Sequence, residues 1–301
     1  MKKAILADLI DMNKPGIVLD EVRNLYLSVY PRGHFHLIED AFKSMRLLYQ
    51  GKYEGYSECN TNFHDFQHTL DCFMAMARLL HGAEVSGTHF DKKNAALGLI
   101  AAIMHDAGYI PQEGEIGGTG ARFARTHVFR SSMFLKKYFA KNGFSDEDYR
   151  FCNTCIQCTG IYMNMDAIPF VSEENRILGQ MLGSSDLLGQ MANRTYLERL
   201  LLLYREFKEA RFSHFKDELD LLKKTRDFYN NTRKMLATDL GGVEKYMSAH
   251  FKSSWKIKRD LYKESIEKQL HYLDGILLNR EQVYQDHLKR RILTGHLGED
   301  D

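Results

Sequence analysis

Asp91-Lys92-Lys93-Asn94-Ala95-Ala96-Leu97-Gly98-Leu99-Ile100-Ala101-Ala102-Ile103-Met104-His105-Asp106-Ala107-Gly108 is the run on which the fold turns. Asp91 is of the type that caps a helix start, and from Ala95 to Met104 the residues are apolar on every side of a helix rather than along one stripe. Such a helix belongs in the middle of a domain. Gly108 and Pro111 end it just past His105 and Asp106. A core helix therefore delivers a metal-ligating pair at its tip.

Upstream, Phe63-His64-Asp65-Phe66-Gln67-His68 places two histidines at i and i+4, on one side of a helix. From Asp65 to about Leu80, Cys72, Ala75, Met76 and Leu79 share a stripe with His68, which turns that imidazole inward. Downstream, Ser172-Glu173-Glu174 opens a helix on whose apolar face Leu178, Met181, Leu182 and Asp186 fall together.

Apolar residues recur at three and four positions, alternating patterns are missing, and the 301 residues contain only four prolines, so the expected class is all-α. Residues 17–50 read as two helices broken at Tyr30-Pro31-Arg32-Gly33. After the glycine-rich loop between Ile110 and Gly120 a helix is expected from about Ala121, carrying His127, Ser131, Phe134 and Tyr138 on one side. Ser145-Asp146-Glu147-Asp148 has the form of a capping box. Beyond Arg194 the pattern is amphipathic, with a break near Leu240-Gly241-Gly242 and a helix of about thirty residues expected from Ser254. The organisation expected is N-terminal helices packing on the core over 1–60, a catalytic core over 61–210 and a C-terminal helical extension over 211–301, its long helix a candidate homodimer surface.

Composition narrows the function classes. An apolar share of 44% with 27% charged residues describes a soluble globular protein, and 41 basic against 40 acidic residues give no field that would attract a nucleic acid polymer. No stretch approaches the roughly 20 apolar residues of a membrane span. Asp8 and Asp11 interrupt the only N-terminal run that resembles an export signal, and five cysteines, an odd number, suit a reducing compartment. A cytoplasmic protein with no membrane partner is expected.

An unpaired carboxylate on a buried face costs several kcal/mol, so Asp186 requires a cation, a dense set of donors or a proton. His68, His105 and Asp106 complete a shell of two nitrogens and two oxygens, which suits a divalent ion without choosing among Zn, Mn, Mg and Fe. Neighbours on a regular helix diverge by about 100°, so His105 and Asp106 serve one centre only near the helix end, or with Asp106 bridging two ions. A bridging carboxylate favours two metals and attack by water on phosphorus.

This ordered set, His-x3-His, then His-Asp in an apolar helix, then a distant Ser185-Asp186-Leu187, resembles the HD-domain superfamily of metal-dependent phosphohydrolases, and within it the branch of the class I cyclic-nucleotide phosphodiesterases. The resemblance covers about Asn60 to Arg205. It implies an HD/phosphodiesterase-like all-helical domain with additional N- and C-terminal helices and a binuclear centre. His64 would then be the general acid, His68, His105 and Asp186 metal ligands, and Asp106 the bridge. His127 matches a position in or beside the second metal's shell, and Thr159 falls where the phosphodiesterases have a Thr-Asp pair. The implied reaction is hydrolysis of a cyclic or linear nucleotide phosphodiester by a metal-bound hydroxide. The chain departs from that branch after the dyad, where it has Ala107-Gly108-Tyr109-Ile110-Pro111, and Gln180 and Gln190 lack the context of a purine-binding glutamine. A nucleotide monophosphate phosphohydrolase and a non-catalytic metal- or nucleotide-binding signalling module are the alternatives.

Other features receive plainer readings. Arg122, Arg125 and Arg130 follow the glycine-rich loop and are candidates to reach a substrate phosphate. Cys152-x2-Cys155-x2-Cys158 spreads over too much of a helix for a cluster to converge, and points to the core. Lysines around Trp255 are diluted by Asp260, Glu264 and Glu267 and read as a solvated face.

Overall fold

The computed structural model describes residues 4–160, 163–212 and 214–290, so the extreme ends of the first and last expected segments, with the opening Met-Lys-Lys, lie outside it. In chain order the helices are α1 (Pro15–Val29), α2 (Phe35–Tyr49), α3 (Phe66–Glu84), α4 (Lys92–Met104), α5 (His127–Lys141) and α6 (Asp146–Gln157). Then come α7 (Glu173–Ala192), α8 (Tyr196–Glu209), α9 (Glu218–Ala237), α10 (Tyr246–Trp255), α11 (Leu261–Asn279) and the single turn α12 (Tyr284–His287). Among the described residues there is no strand, only an isolated bridge between Tyr56 and Gln112, and the all-α class is established. No described helix is long and apolar enough to cross a membrane.

Caps set many of the boundaries. Asp91 accepts from Lys93 N and Asn94 N at 2.7 and 3.2 Å to start α4, and Ser145 with Asp148 forms a complete capping box on α6. As expected, α4 is buried on all sides from Ala95 to Met104.

The same is true of α3, where the stripe anticipated only one buried face. Every residue from Phe66 to Ala83 is buried, because α1, α4, α7 and α10 surround the helix. Its polar side chains are matched inside: Thr69 Oγ1 lies 2.8 Å from Tyr49 OH, Gln67 donates to Asp71 at 3.1 Å, and Arg78 donates to Tyr262 OH at 3.0 Å. Close approach needs small residues, and a Cβ on Gly189 of α7 would stand 2.8 Å from the Asp71 carbonyl carbon of α3.

Two expected helices are shorter than their patterns. Gly120–Phe123 forms a 3-10 turn, and α5 begins only at His127, because Thr119 caps the turn and the chain then restarts. The thirty-residue helix from Ser254 is two helices. Lys256 takes left-handed φ of 58° after α10, and Asp260 caps α11 by accepting from Tyr262 N and Lys263 N. A further break separates α8 from α9, with Arg211 also at φ 58°.

The apolar face of α11, with Leu261, Ile266, Leu270 and Leu273, is buried within the chain, where the helix packs on α7, α8, α9 and α10. One large apolar cluster runs from Val18 to Leu288, with a small second cluster of Tyr109, Ala124, Ala210 and Phe212. Cys152 and Cys155 belong to that cluster, and burial pushes the thiols well above their ordinary range.

Candidate metal centre

Asp65, the cap of α3, accepts from His68 N at 2.9 Å and from Arg199 Nη2 at 2.8 Å. Cap and arginine together fix the first turn of α3, and with it the inward direction of His68. At the tip of α4 the chain leaves helical geometry: His105 keeps φ −58° and ψ −34°, whereas Asp106 moves to φ −106° and ψ 10°. That turn brings two adjacent side chains, divergent on a regular helix, to the same point. Ser131 locks it by donating to the His105 carbonyl at 2.6 Å and accepting from Gly108 N at 2.9 Å.

Four groups meet there. His68 Nε2 lies 3.2 Å from Asp106 Oδ2 and 3.2 Å from Asp186 Oδ1, and His105 Nε2 lies 3.3 and 3.8 Å from the same two oxygens. On the other oxygen of Asp106, His127 Nε2 stands 3.9 Å away. His68, His105 and Asp106 present ligand atoms within 4.8 Å of one another, all buried. His105 Nε2 and Asp106 Oδ2 make no hydrogen bond despite their proximity. Orphaned polar atoms are costly inside a protein, and a divalent cation fits this pair.

Hydrogen bonding prepares both outer imidazoles as ligands. His105 Nδ1 donates to the Ala102 carbonyl at 2.9 Å and His127 Nδ1 to the Ala124 carbonyl at 2.7 Å, which leaves each Nε2 as the lone-pair nitrogen. Burial by itself pushes His68 down, but the Asp106 and Asp186 carboxylates beside it outweigh burial and bring the imidazole up to about 9. Burial also pushes Asp106 up, yet the His105 imidazole beside it holds the carboxylate well below its usual range. Burial keeps His127 low and neutral.

His64 sits apart from the four. Its Nδ1 is 2.6 Å from Glu206 Oε2, and its ring stacks on Tyr109 at 4.1 Å and 10°, with His127 on the other side of Tyr109 at 4.8 Å. Glu206 is held in turn by Asn62 N at 2.9 Å and Phe63 N at 2.6 Å. A cavity of about 410 Å³ is lined by His64, His68, Asp106, His127, Thr159 and Asp186, and extends outward between α8 and α9.

The structure thus gathers His64, His68, His105, Asp106, His127, Thr159 and Asp186. It does not bring Arg122 or Arg125 to the cavity lining. Arg122 donates to the carbonyls of Ile116 and Glu115 and lies on Phe123, and Arg125 donates to the Arg211 carbonyl and lies on Phe212. Arg130 pairs with Glu115 at 2.9 Å and caps the carbonyl of Gly108. Arg122 and Arg130 fasten the glycine-rich loop, and Arg125 fastens the connection between α8 and α9.

Sequence reasoning missed Glu206, Arg199 and Tyr109. The available signal was Arg199 and Glu206 seven apart on α8, two charges on one helical face. Their partners lie more than a hundred residues upstream, at separations of 134 and 142, so the pairing had no local trace.

Residues 113–240 match a family model described as Npun_R2479-like. That segment carries His127, Thr159, Asp186 and Glu206 and lies C-terminal to His64, His68, His105 and Asp106. No curated protein and no solved structure matches the chain.

Proposed function

We propose that this chain is a metal-dependent phosphoester hydrolase. The observation that carries the reading is the pair of buried, hydrogen-bond-free ligand atoms His105 Nε2 and Asp106 Oδ2, grouped with His68 and Asp186 at the closed end of a cavity. His68, His105, Asp106 and Asp186 would hold one divalent ion, and Asp106 with His127 would serve a second. Ions in such a shell lower the pKa of water and polarise a phosphoryl oxygen.

The remaining steps belong to the chain. Glu206 Oε2, 2.6 Å from His64 Nδ1, accepts from that nitrogen and fixes the imidazole tautomer, which leaves Nε2 to deliver a proton to the departing oxygen. Stacking on Tyr109 fixes the ring plane. Asp65 and Arg199 hold the turn that carries both His64 and His68, so acid and ligand keep a constant separation.

Elemental analysis of wild type, His105→Ala and Asp106→Ala, followed by hydrolysis of a chromogenic phosphodiester with Mn, Mg or Zn, tests this. Bound metal lost in both variants together with metal-dependent turnover is expected. Metal without turnover on any phosphoester would leave a binding module, and a wild type that takes up no metal would remove the proposal.

A further inference from the structure

Away from the ligands the cavity changes character. Leu187 of α7, Leu203 and Phe207 of α8, and Leu221, Phe228 and Met235 of α9 form its outer wall. Four polar side chains in the lining, Thr159, Thr225, Gln190 and Lys224, are already engaged by the protein itself. Thr159 Oγ1 donates to the Ile156 carbonyl at 2.9 Å, and Thr225 Oγ1 donates to the Leu221 carbonyl at 3.0 Å. Gln190 Nε2 donates to the Asp186 carbonyl at 3.2 Å. Lys224 Nζ donates to Asp220 at 2.9 Å and to the His214 carbonyl at 3.0 Å, while the His214 ring lies against Phe212.

A nucleobase seated in this wall would bring several donors and acceptors out of water, at a loss of roughly tenfold in affinity for each one left unpaired. An aliphatic chain brings none, and gains about fourfold per buried methylene, from about 0.8 kcal/mol each. We propose that the phosphoester substrate of this site is an amphiphile, its phosphoryl group at the metal ligands and an aliphatic chain lying between α8 and α9. This inference rests on the phosphoester reading, and it replaces the nucleoside part of the sequence-based expectation with an alkyl or acyl chain.

Titration calorimetry with n-alkyl phosphonates from ethyl to decyl, with AMP and cyclic AMP alongside, tests it on the Mn-loaded wild type, Phe228→Asp and His105→Ala. Phe228 is 47% exposed, so its substitution removes cavity wall without opening the core. In wild type the Kd should fall about threefold to fourfold per methylene until the cavity is filled. Phe228→Asp should weaken decyl phosphonate at least tenfold and leave ethyl phosphonate unchanged. A flat series, or AMP or cyclic AMP binding tighter than decyl phosphonate, would overturn the proposal. His105→Ala separates the two claims: all lengths weakened with the slope kept supports both. Equal affinity in wild type and His105→Ala with the slope kept would support the chain-binding wall and sink the metal-centred reading. Metal-dependent binding with a flat series would do the reverse.

Discussion

Glu206→Gln isolates one hydrogen bond in the proposed chemistry. Gln keeps the size of the side chain and one carbonyl oxygen, which can still accept from Asn62 N and Phe63 N, now 2.9 and 2.6 Å from Glu206 Oε1. That orientation puts the amide NH2 where Oε2 accepted from His64 Nδ1 at 2.6 Å, so the bond is lost rather than made neutral. A hydrogen bond to a charged group contributes about 1.5–3 kcal/mol, and its loss removes that much support from the positioned imidazole. If His64 protonates the leaving oxygen, kcat on a phosphodiester with an alkyl leaving group should fall roughly 10- to 150-fold. With nitrophenolate, which departs without a proton, kcat should change less than about twofold. Steady-state kinetics on the two substrates, with metal content and the thermal midpoint measured on the same samples, is the assay. Equal losses on both substrates would assign Glu206 a purely structural role, and no loss on either would take His64 out of the reaction.

Other perturbations test separate parts of the structure. A Cβ on Gly108 would stand 2.0 Å from the His127 carbonyl oxygen, so Gly108→Ala should cost about 1–3 kcal/mol by denaturant titration and reduce bound metal, since the same turn carries Asp106. Chelation should lower Tm by about 4 °C in wild type, from about 2.7 kcal/mol of linkage at a hundredfold excess over Kd, and leave His105→Ala unmoved in differential scanning calorimetry. His250 is buried beside His81, Nδ1 to Nδ1 3.3 Å, and burial with the nearby Arg78 charge pushes it down to about 2. Its unfolded value is about 6.5, so between those values the unfolded chain binds the proton and the folded one does not, and stability falls as pH falls. About 1 kcal/mol should be lost between about pH 6.5 and 5.5 by urea titration, and His250→Gln should lessen that loss; an unchanged slope would show that His250 is not buried neutral.

Much of the architecture was local enough to read. Asp91, Ser145 and Ser172 marked helix starts, Tyr30-Pro31 and Gly241-Gly242 marked breaks, and the unbroken apolar run before His105 identified α4 as a core helix. Helix ends governed by backbone turns were harder. The division at Lys256 depends on one residue taking positive φ, which its side chain does not announce, and the amphipathic pattern continues across it. For α3 the period pointed to one stripe, whereas four neighbouring helices bury the whole circumference, with Thr69 and Arg78 partnered from α2 and α11 and Gln67 from α3 itself.

From the chain alone came the all-helical class and the ordered set His64, His68, His105, Asp106 and Asp186, because cap chemistry, helical periodicity and the cost of a carboxylate on an apolar face are properties of neighbouring residues. Tertiary structure alone decided that Asp106 turns to share a point with His105, that Glu206 rather than any nearby residue backs His64, that Arg122 and Arg125 fasten two different loops, and that the cavity wall is apolar. Each of these depends on where helices distant in sequence cross, and a crossing is set by the packing of whole faces, for which no short stretch carries the information.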